Sequence, residues 1–366
     1  MSKVQEKWLL VLGLNLRIVA DAPFLIAPFL SVFGHFEVSG PSALSRVEIH
    51  VDDAAGFYRD GRRTVPLAPG RWRRPHVHNL LYTTLVRSLE GVFLLHAAAL
   101  EAGGQGLVIS APAGSGKTSL ARALVRRQLR FLADDLAPLG GEDGLLHPFP
   151  RRLGLDAENV ARLMSRQGEV VVGDKHFLPP EALGMNPVTH PLPLGGVVIM
   201  NPYQGEKADG QILLTVGLLE PAGRFRTSLD RLAESRIRAV RTVDGLPILE
   251  IELAGPQAVA GAMEALAQAE EEILFHCRSY APGKIYAVRP HLLPISAREA
   301  ALGLLRETLN REPQSALMRS HGGRTAAVLF HLAGLLEGVP CFSLTPGPLE
   351  QTADLLAAAF RRPRPR

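Results

Sequence analysis

The chain has 366 residues, enough to bury a sizeable core and to form two domains or one domain with large additions. With 46% hydrophobic and 21% charged residues it reads as a soluble globular protein, which excludes a disordered or fibrous chain. The formal net charge is +4, and the last six residues, Arg361-Arg-Pro-Arg-Pro-Arg366, carry four arginines. The body is therefore near neutrality and lacks the basic excess of a nucleic-acid binder. Two cysteines, Cys277 and Cys341, are too few for a disulfide framework and have no zinc-ligand spacing. A reduced, cytoplasmic compartment is expected.

At the N-terminus, Lys3 and Lys7 precede the apolar run Trp8–Leu14, but Glu6 and Arg17 flank it, so 8–20 reads as a buried strand and not as a targeting signal. Residues 22–34 are apolar, too short to cross a membrane, and contain two prolines. Arg46–Val51 alternates as a strand, and 57–65 forms a hairpin turning on Asp60-Gly61. Residues 79–90 suit a helix through Leu80, Leu81, Leu85 and Leu89. Two apolar strands follow, 92–100 and 106–110, then a glycine-rich segment, a helix over 117–127 and a strand over 129–133. Downstream, 195–200 and 246–251 suit strands, and 228–241 and 256–272 suit helices. From about 297 the chain reads as mostly helical, over 297–310, 324–337 and 347–360. The expected division is a β-rich region 1–89, a nucleotide-binding core 90–255, a mainly helical region 256–360 and a basic tail 361–366.

Residues 107–121 read Leu-Val-Ile-Ser-Ala-Pro-Ala-Gly-Ser-Gly-Lys-Thr-Ser-Leu-Ala. A glycine-rich turn between a buried strand and a helix offers successive backbone N–H groups to phosphate oxygens, with the helix dipole behind them. This P-loop runs from Ala111 to Thr118, and Ala113, Gly114, Ser115, Gly116, Lys117, Thr118 and Ser119 are the expected nucleotide contacts. Lys117 would reach the β- and γ-phosphates, and the Thr118 hydroxyl would ligate Mg²⁺. The chain has six lysines against 34 arginines, and Lys117 is the only lysine between Lys7 and Lys175, which makes its placement informative. Ala111 stands where the motif has its first glycine.

Asp134-Asp135 closes the next strand. In a parallel sheet both carboxylates would lie at the carboxyl edge beside the phosphates, where one can hold Mg²⁺ and the other accept a proton from an attacking hydroxyl. His96 sits in the apolar run Phe93–Ala99, where a lone histidine is ordinarily a satisfied core residue.

Three stretches together resemble the catalytic domain of HPr kinase/phosphorylase and its relatives. They are Leu95-His-Ala-Ala-Ala-Leu100, the P-loop with its flanks, and Phe131-Leu-Ala-Asp-Asp135. A weaker similarity runs through 146–153 and 339–347. The resemblance implies an α/β fold with a P-loop kinase core of the HPr kinase / phosphoenolpyruvate carboxykinase-like type, here with a β-rich N-terminal part and a helical C-terminal part. It makes Asp134 the general base, Asp135 a Mg²⁺ partner, and His96 an active-site residue that tunes the aspartate. ATP and Mg²⁺ are the implied cofactors. The Glu-x-Arg-Gly signature loop of the bifunctional enzymes has no equivalent, and the first 90 residues do not resemble that family's N-terminal domain. Neither HPr as substrate nor phosphorylase activity is therefore implied. The chain is more similar to divergent relatives, some of which phosphorylate serine in ribosomal precursor peptides such as lasso peptides.

The expected activity is transfer of the γ-phosphoryl group to a serine on a peptide or protein. Alternatives are a kinase acting on a small-molecule hydroxyl and a nucleotide-binding regulator without transfer. The expected partners are that serine-bearing peptide or protein and further copies of the chain in a homo-oligomer, with no nucleic acid and no membrane. Arg151 and Arg152 are weaker candidates for clamping a phosphate or substrate carboxylate. Arg236, Arg238 and Arg241 are expected on the solvated face of a helix, and Lys175 stands between a ligand contact and a surface role. The remaining histidines have no metal-ligand spacing.

Overall fold

The structure, a computed structural model, describes residues 4–41, 46–112, 114–155, 160–161, 166–172, 175–200, 212–220, 223–230, 235–243, 245–269, 272–280 and 289–360. Its first strands, β1 (Gln5–Val11) and β2 (Leu14–Ala20), form an antiparallel hairpin where one strand over 8–20 was expected. The chain reverses at Leu12 and Gly13, both at positive φ, and a leucine in that conformation leaves no turn signature in the sequence. Helix α1 (Pro23–Phe33) accommodates both prolines: one opens the first turn, where its missing N–H costs nothing, and Pro28 lies inside. Strands β3 (Glu37–Val38), β4 (Arg46–Asp52), β5 (Phe57–Arg59) and β6 (Thr64–Pro66) complete a six-stranded sheet in the order β3-β1-β2-β4-β5-β6. Helix α2 (Arg73–Ser88) starts earlier than the expected 79, because its first turns carry little apolar patterning for the sequence to show.

The central sheet begins with β7 (Val92–Leu95) and β8 (Ala97–Ala102), which are separated at His96. It continues with β9 (Gln105–Ser110), helix α3 (Lys117–Val125), β10 (Arg130–Ala133), β11 (Ala137–Gly140) and β12 (Leu145–Leu146). Strands β13 (Leu153–Leu155), β14 (Val170–Val172) and β15 (Lys175–Leu178) form a small separate sheet; the backbone of Lys175 opens β15, and its side chain lies outside the described residues. Strand β16 (Leu192–Met200) returns to the central sheet and pairs in parallel with β9. The sheet is mixed and not parallel as expected, since β8 lies antiparallel between β9 and β10. Both neighbours of β8 consequently run the same way, so the P-loop after β9 and the aspartates after β10 still emerge at one edge.

Strands β17 (Ile212–Leu218), β18 (Ser235–Val243), β19 (Leu246–Leu253) and β20 (Ile273–Tyr280) form a four-stranded antiparallel sheet ordered β18-β19-β17-β20. Helices α4 (Arg224–Leu229) and α5 (Gly255–Gln268) cover it. The helix expected over 228–241 is thus a short helix followed by a strand. Residues 235–239 alternate with period two, Arg236 and Arg238 exposed and Ile237 packed inward, as a strand facing a core on one side requires. Arg238 and Arg241 pair with Glu252 and Glu250 across the sheet. This sheet spans the expected division at 255/256, because β20 pairs with β17.

The C-terminal part is mostly helical from 297, as expected, but two strands tie it into the central sheet. Strand β21 (His291–Pro294), helices α6 (Ala297–Arg306), α7 (Ala316–Ser320) and α8 (Thr325–Leu335), β22 (Cys341–Thr345) and α9 (Leu349–Phe360) complete the chain. Strand β22 lies in parallel beside β16, within the central sheet. One buried cluster runs from Leu9 through Phe93 and Leu139 to Leu336, so the N-terminal sheet and the C-terminal helices share a core. A second cluster packs α3 on α9 through Leu120, Leu124, Ala353 and Leu356. Among the described residues no helix is long and apolar enough to cross a membrane. The tail 361–366 lies outside the described residues.

Candidate functional site

Strand β9 is buried along almost its whole length, and the chain leaves it at Ala111, which is 2% exposed. Gly114 and Gly116 have φ of +71° and +92°, and a Cβ at either would meet nothing within 4 Å. Glycine is needed there for conformation, not for space. Among the described residues only Leu12, Gln128 and Asp135 are non-glycine residues at positive φ, so Ala111 replaces the motif's first glycine without strain. Ala113 lies outside the described residues. Ser115 is buried and its hydroxyl donates to the Pro112 carbonyl at 2.6 Å, while Ser119 sits in the first turn of α3.

Lys117 is 5% exposed. Its ammonium donates to the carbonyls of Ala111 at 2.7 Å and Pro112 at 3.3 Å, and to His96 Nε2 at 3.2 Å. Because an ammonium only donates, His96 Nε2 accepts, and the ring proton lies on Nδ1, 3.0 Å from Glu307 Oε2. The His96 backbone N–H also donates to the Glu307 carbonyl at 2.7 Å. His96 is therefore not mid-strand but at the break between β7 and β8, held on two sides by the segment after α6.

The Thr118 hydroxyl donates to Asp134 Oδ2 at 2.6 Å. The other oxygen of Asp134, Oδ1, is buried with no hydrogen-bond partner. Burial, then the negative charge of Asp135, pushes the Asp134 carboxyl up to about 7, against the opposing pull of Thr118, Lys117 and Arg151. Asp135 differs at every point. Its φ is +60°, a conformation aspartate tolerates better than most residues, and its Oδ2 accepts from Arg151 Nη2 at 2.9 Å. Burial alone would raise its carboxyl, but the Arg151 guanidinium, then His96 and Lys117, hold it below its ordinary value. His96 Nε2 lies 3.7 Å from Asp135 Oδ1, so the histidine faces Asp135 and Glu307 rather than Asp134.

Arg151 is brought in because Phe149 N bonds to the Leu132 carbonyl and the following chain runs past the end of β10. It is 8% exposed, and its Nε is buried without a partner. Arg152, its neighbour, turns away to the Gly168 carbonyl. Sequence reasoning missed Glu307, which stands in no motif and reaches His96 only because 307–310 pairs along β7 through Leu94 and Asn310.

A cavity of about 540 Å³ opens beside the P-loop, over Ser115, Gly116 and Ser119, with Met200, Pro346 and Leu349 among its walls. It could take a flat apolar ring attached to phosphates held by the loop. The donor set also fits a magnesium ion. Thr118 and the aspartates are hard oxygen ligands, Asp134 Oδ1 is an unsatisfied buried oxygen, and Mg²⁺ needs only one or two carboxylates when phosphates complete its shell. Among the described residues no group of three or more His, Cys, Asp or Glu side chains is assembled into a self-sufficient metal cage.

No protein-family model matches the chain, and no curated protein matches it in sequence. Among solved structures, the HPr(Ser) kinase/phosphatase from Coxiella burnetii is similar over 46% of this chain and 84% of that chain, at 17% identity. The TM-score is 0.20, too low to carry a fold or an activity from that protein to this one. The chain is a mixed α/β protein with several sheets, and the chemistry of its site has to be argued from its own residues.

Proposed function

We propose that this chain is a nucleotide-dependent phosphotransferase that moves the γ-phosphoryl group of ATP, with Mg²⁺, to a serine hydroxyl on a peptide or protein. The observation that carries the reading is the Thr118–Asp134 contact, in which a P-loop hydroxyl is bonded to a buried carboxylate that keeps one oxygen unpartnered. That oxygen is open to a ligand, either the proton of an attacking hydroxyl or a metal ion, and leaving it unpaired is costly; the reading gives it the proton and leaves the metal to Thr118 and Asp135.

In this reading the backbone N–H groups around Gly114 and Gly116 hold the phosphates, and Lys117 exchanges its loop carbonyls for phosphate oxygens. The base occupies the cavity walled by Met200 and Pro346. The Thr118 hydroxyl spends its proton on Asp134, which turns its lone pairs outward, so Thr118 and Asp135 are the protein donors offered to Mg²⁺. When bound, the ion would neutralise charge on the β- and γ-oxygens. Asp134 Oδ1 accepts the proton of the attacking serine as its oxygen bonds to the γ-phosphorus and the bond to the β-phosphate oxygen breaks, leaving ADP. A base titrating near 7 is partly ionised at neutral pH and still basic enough to take that proton. Arg151 keeps Asp135 ionised, and Glu307 fixes the His96 ring so that its lone pair faces Lys117. The similarity of the sequence motifs to HPr-kinase relatives, some of which modify precursor peptides, supports a serine on a peptide as acceptor.

The test is transfer from γ-labelled ATP to serine-containing peptides across a Mg²⁺ titration. Asp134→Asn is expected to abolish transfer while leaving nucleotide binding and its Mg²⁺ dependence intact. Asp135→Asn is expected to raise the Mg²⁺ requirement. The opposite pattern would exchange the two roles, and nucleotide binding with no transfer to any acceptor would remove the kinase reading.

A further inference from the structure

A second cavity of about 540 Å³ shares no lining residue with the one beside the P-loop. It is formed where β4, the β5–β6 turn, the end of α2, α4 and the end of α5 meet the 307–315 segment. Five arginines line it, Arg46, Arg62, Arg63, Arg87 and Arg224, against two carboxylates, Glu48 and Asp60, and Val47 is the one apolar side chain in the lining. We propose that this cavity is a second ligand site, built for a small polyanion that bears at least two phosphate or carboxylate groups.

The two carboxylates are already engaged in shaping the wall. Asp60 accepts from the backbone N–H groups of Arg62 and Arg63, from Arg63 Nε and from the Thr84 hydroxyl, all within 3.2 Å. Glu48 accepts from Arg17 at 2.7 Å, Arg46 at 2.6 Å and His50 at 2.8 Å. They position guanidinium groups, and Glu272 does the same for Arg224 at 3.0 Å. With Glu272 and Glu312 counted, the five arginines meet four carboxylates, which leaves an excess of one positive charge centred on Arg62. Arg87, 6% exposed, is held from behind by Glu312. Arg62, exposed at the mouth, bonds to the Gln314 carbonyl at 3.4 Å; partial desolvation and then the charge of Arg319 act against its own charge, Asp60 favours it, and Arg87 and Arg63 oppose it. An anion in the cavity relieves that repulsion, and planar guanidinium forks suit phosphate and carboxylate oxygens. Ser88, Gln268 and Gln314 add neutral hydrogen-bonding groups to the lining.

The size decides between a small molecule and a macromolecule. A concave space of this volume, lined from six separate segments of the chain, lies in the range of small-molecule sites. The assignment rests on none of the P-loop residues and stands apart from the proposed transfer activity.

Calorimetric titration of the full chain with citrate and with inorganic pyrophosphate tests it. Lys117→Ala serves as the background, which weakens pyrophosphate binding at the P-loop. Saturable binding is expected for at least one of the two anions, falling off as salt is raised. The exposed substitutions Arg62→Gln and Arg224→Gln together are expected to weaken it about ten-fold or more. Arg46→Gln, also exposed, replaces either of them if the double variant shows a lowered melting temperature. Failure of both anions to bind saturably overturns the proposal, as does binding that ignores these substitutions. Binding of a glutamate-rich peptide with neither small anion bound overturns it too, and assigns the cavity to protein docking.

Discussion

The P-loop edge and the four-stranded sheet of 212–280 both bring charged groups together, but they handle charge in opposite ways. On the sheet, Arg238 and Arg241 face Glu252 and Glu250 across neighbouring strands, with the arginines more than half exposed. At the P-loop edge, Lys117, Asp134 and Arg151 are nearly inaccessible, and both Asp134 Oδ1 and Arg151 Nε lack partners. Exposed pairs contribute little because water screens them, whereas a buried unpaired group costs free energy that folding alone does not recover. The first arrangement organises a surface. The second makes sense if a ligand completes it.

The contrast can be sharpened in order of effect. Asp134→Asn should lower phosphoryl transfer by about 10²- to 10⁴-fold in a single-turnover assay, the range of a lost general base. The same variant should melt higher than the parent at pH 8, by on the order of 5 °C. Since the folded-state value is raised to about 7, wild-type stability is full below the unfolded value near 4 and is lost as pH rises through 7. The difference between the two proteins should therefore vanish at pH 4, and a variant equally stabilised at both pH values would remove burial of a charge as the cause.

Lys117→Ala should weaken nucleotide binding or transfer by about 10²-fold, read by equilibrium binding and turnover together. Arg151→Ala should destabilise the protein by about 1 kcal/mol at pH 7, since Asp135 loses the cation that lowers its value, an effect reduced by water because the Asp135 side chain is 35% exposed. That loss should shrink as pH falls through the folded-state value of Asp135, where its carboxylate is protonated in either protein. The smallest effect belongs to the sheet: Arg241→Ser should leave the melting temperature within about 1 °C. A larger drop there would break the comparison.

Legibility followed the range of the forces involved. The strand–turn–helix around Gly114 and Gly116 was readable because a buried strand, glycines at positive φ, a lysine and a helix start all lie within about a dozen residues, and each is a local requirement. The hairpin at Asp60-Gly61 was readable for the same reason. The helix expected over 228–241 failed because Arg236 to Arg241 fits either period over so short a window. Pairing with β19, which no local pattern shows, chose the strand.

Length, composition and local motif determined that this is an α/β chain with a glycine-rich turn between a buried strand and a helix, and a carboxylate pair just after the next strand. Tertiary structure decided the rest. It placed Arg151 on Asp135, Glu307 on His96, and β22 in the central sheet, over separations of 16, 211 and more than a hundred residues. It also made the two neighbouring aspartates unlike: one is buried against Thr118 and raised, the other is turned by a positive φ toward a guanidinium and lowered. Adjacent identical residues carry the same information in sequence. Only the desolvation and charge around each, set by distant segments, tell them apart.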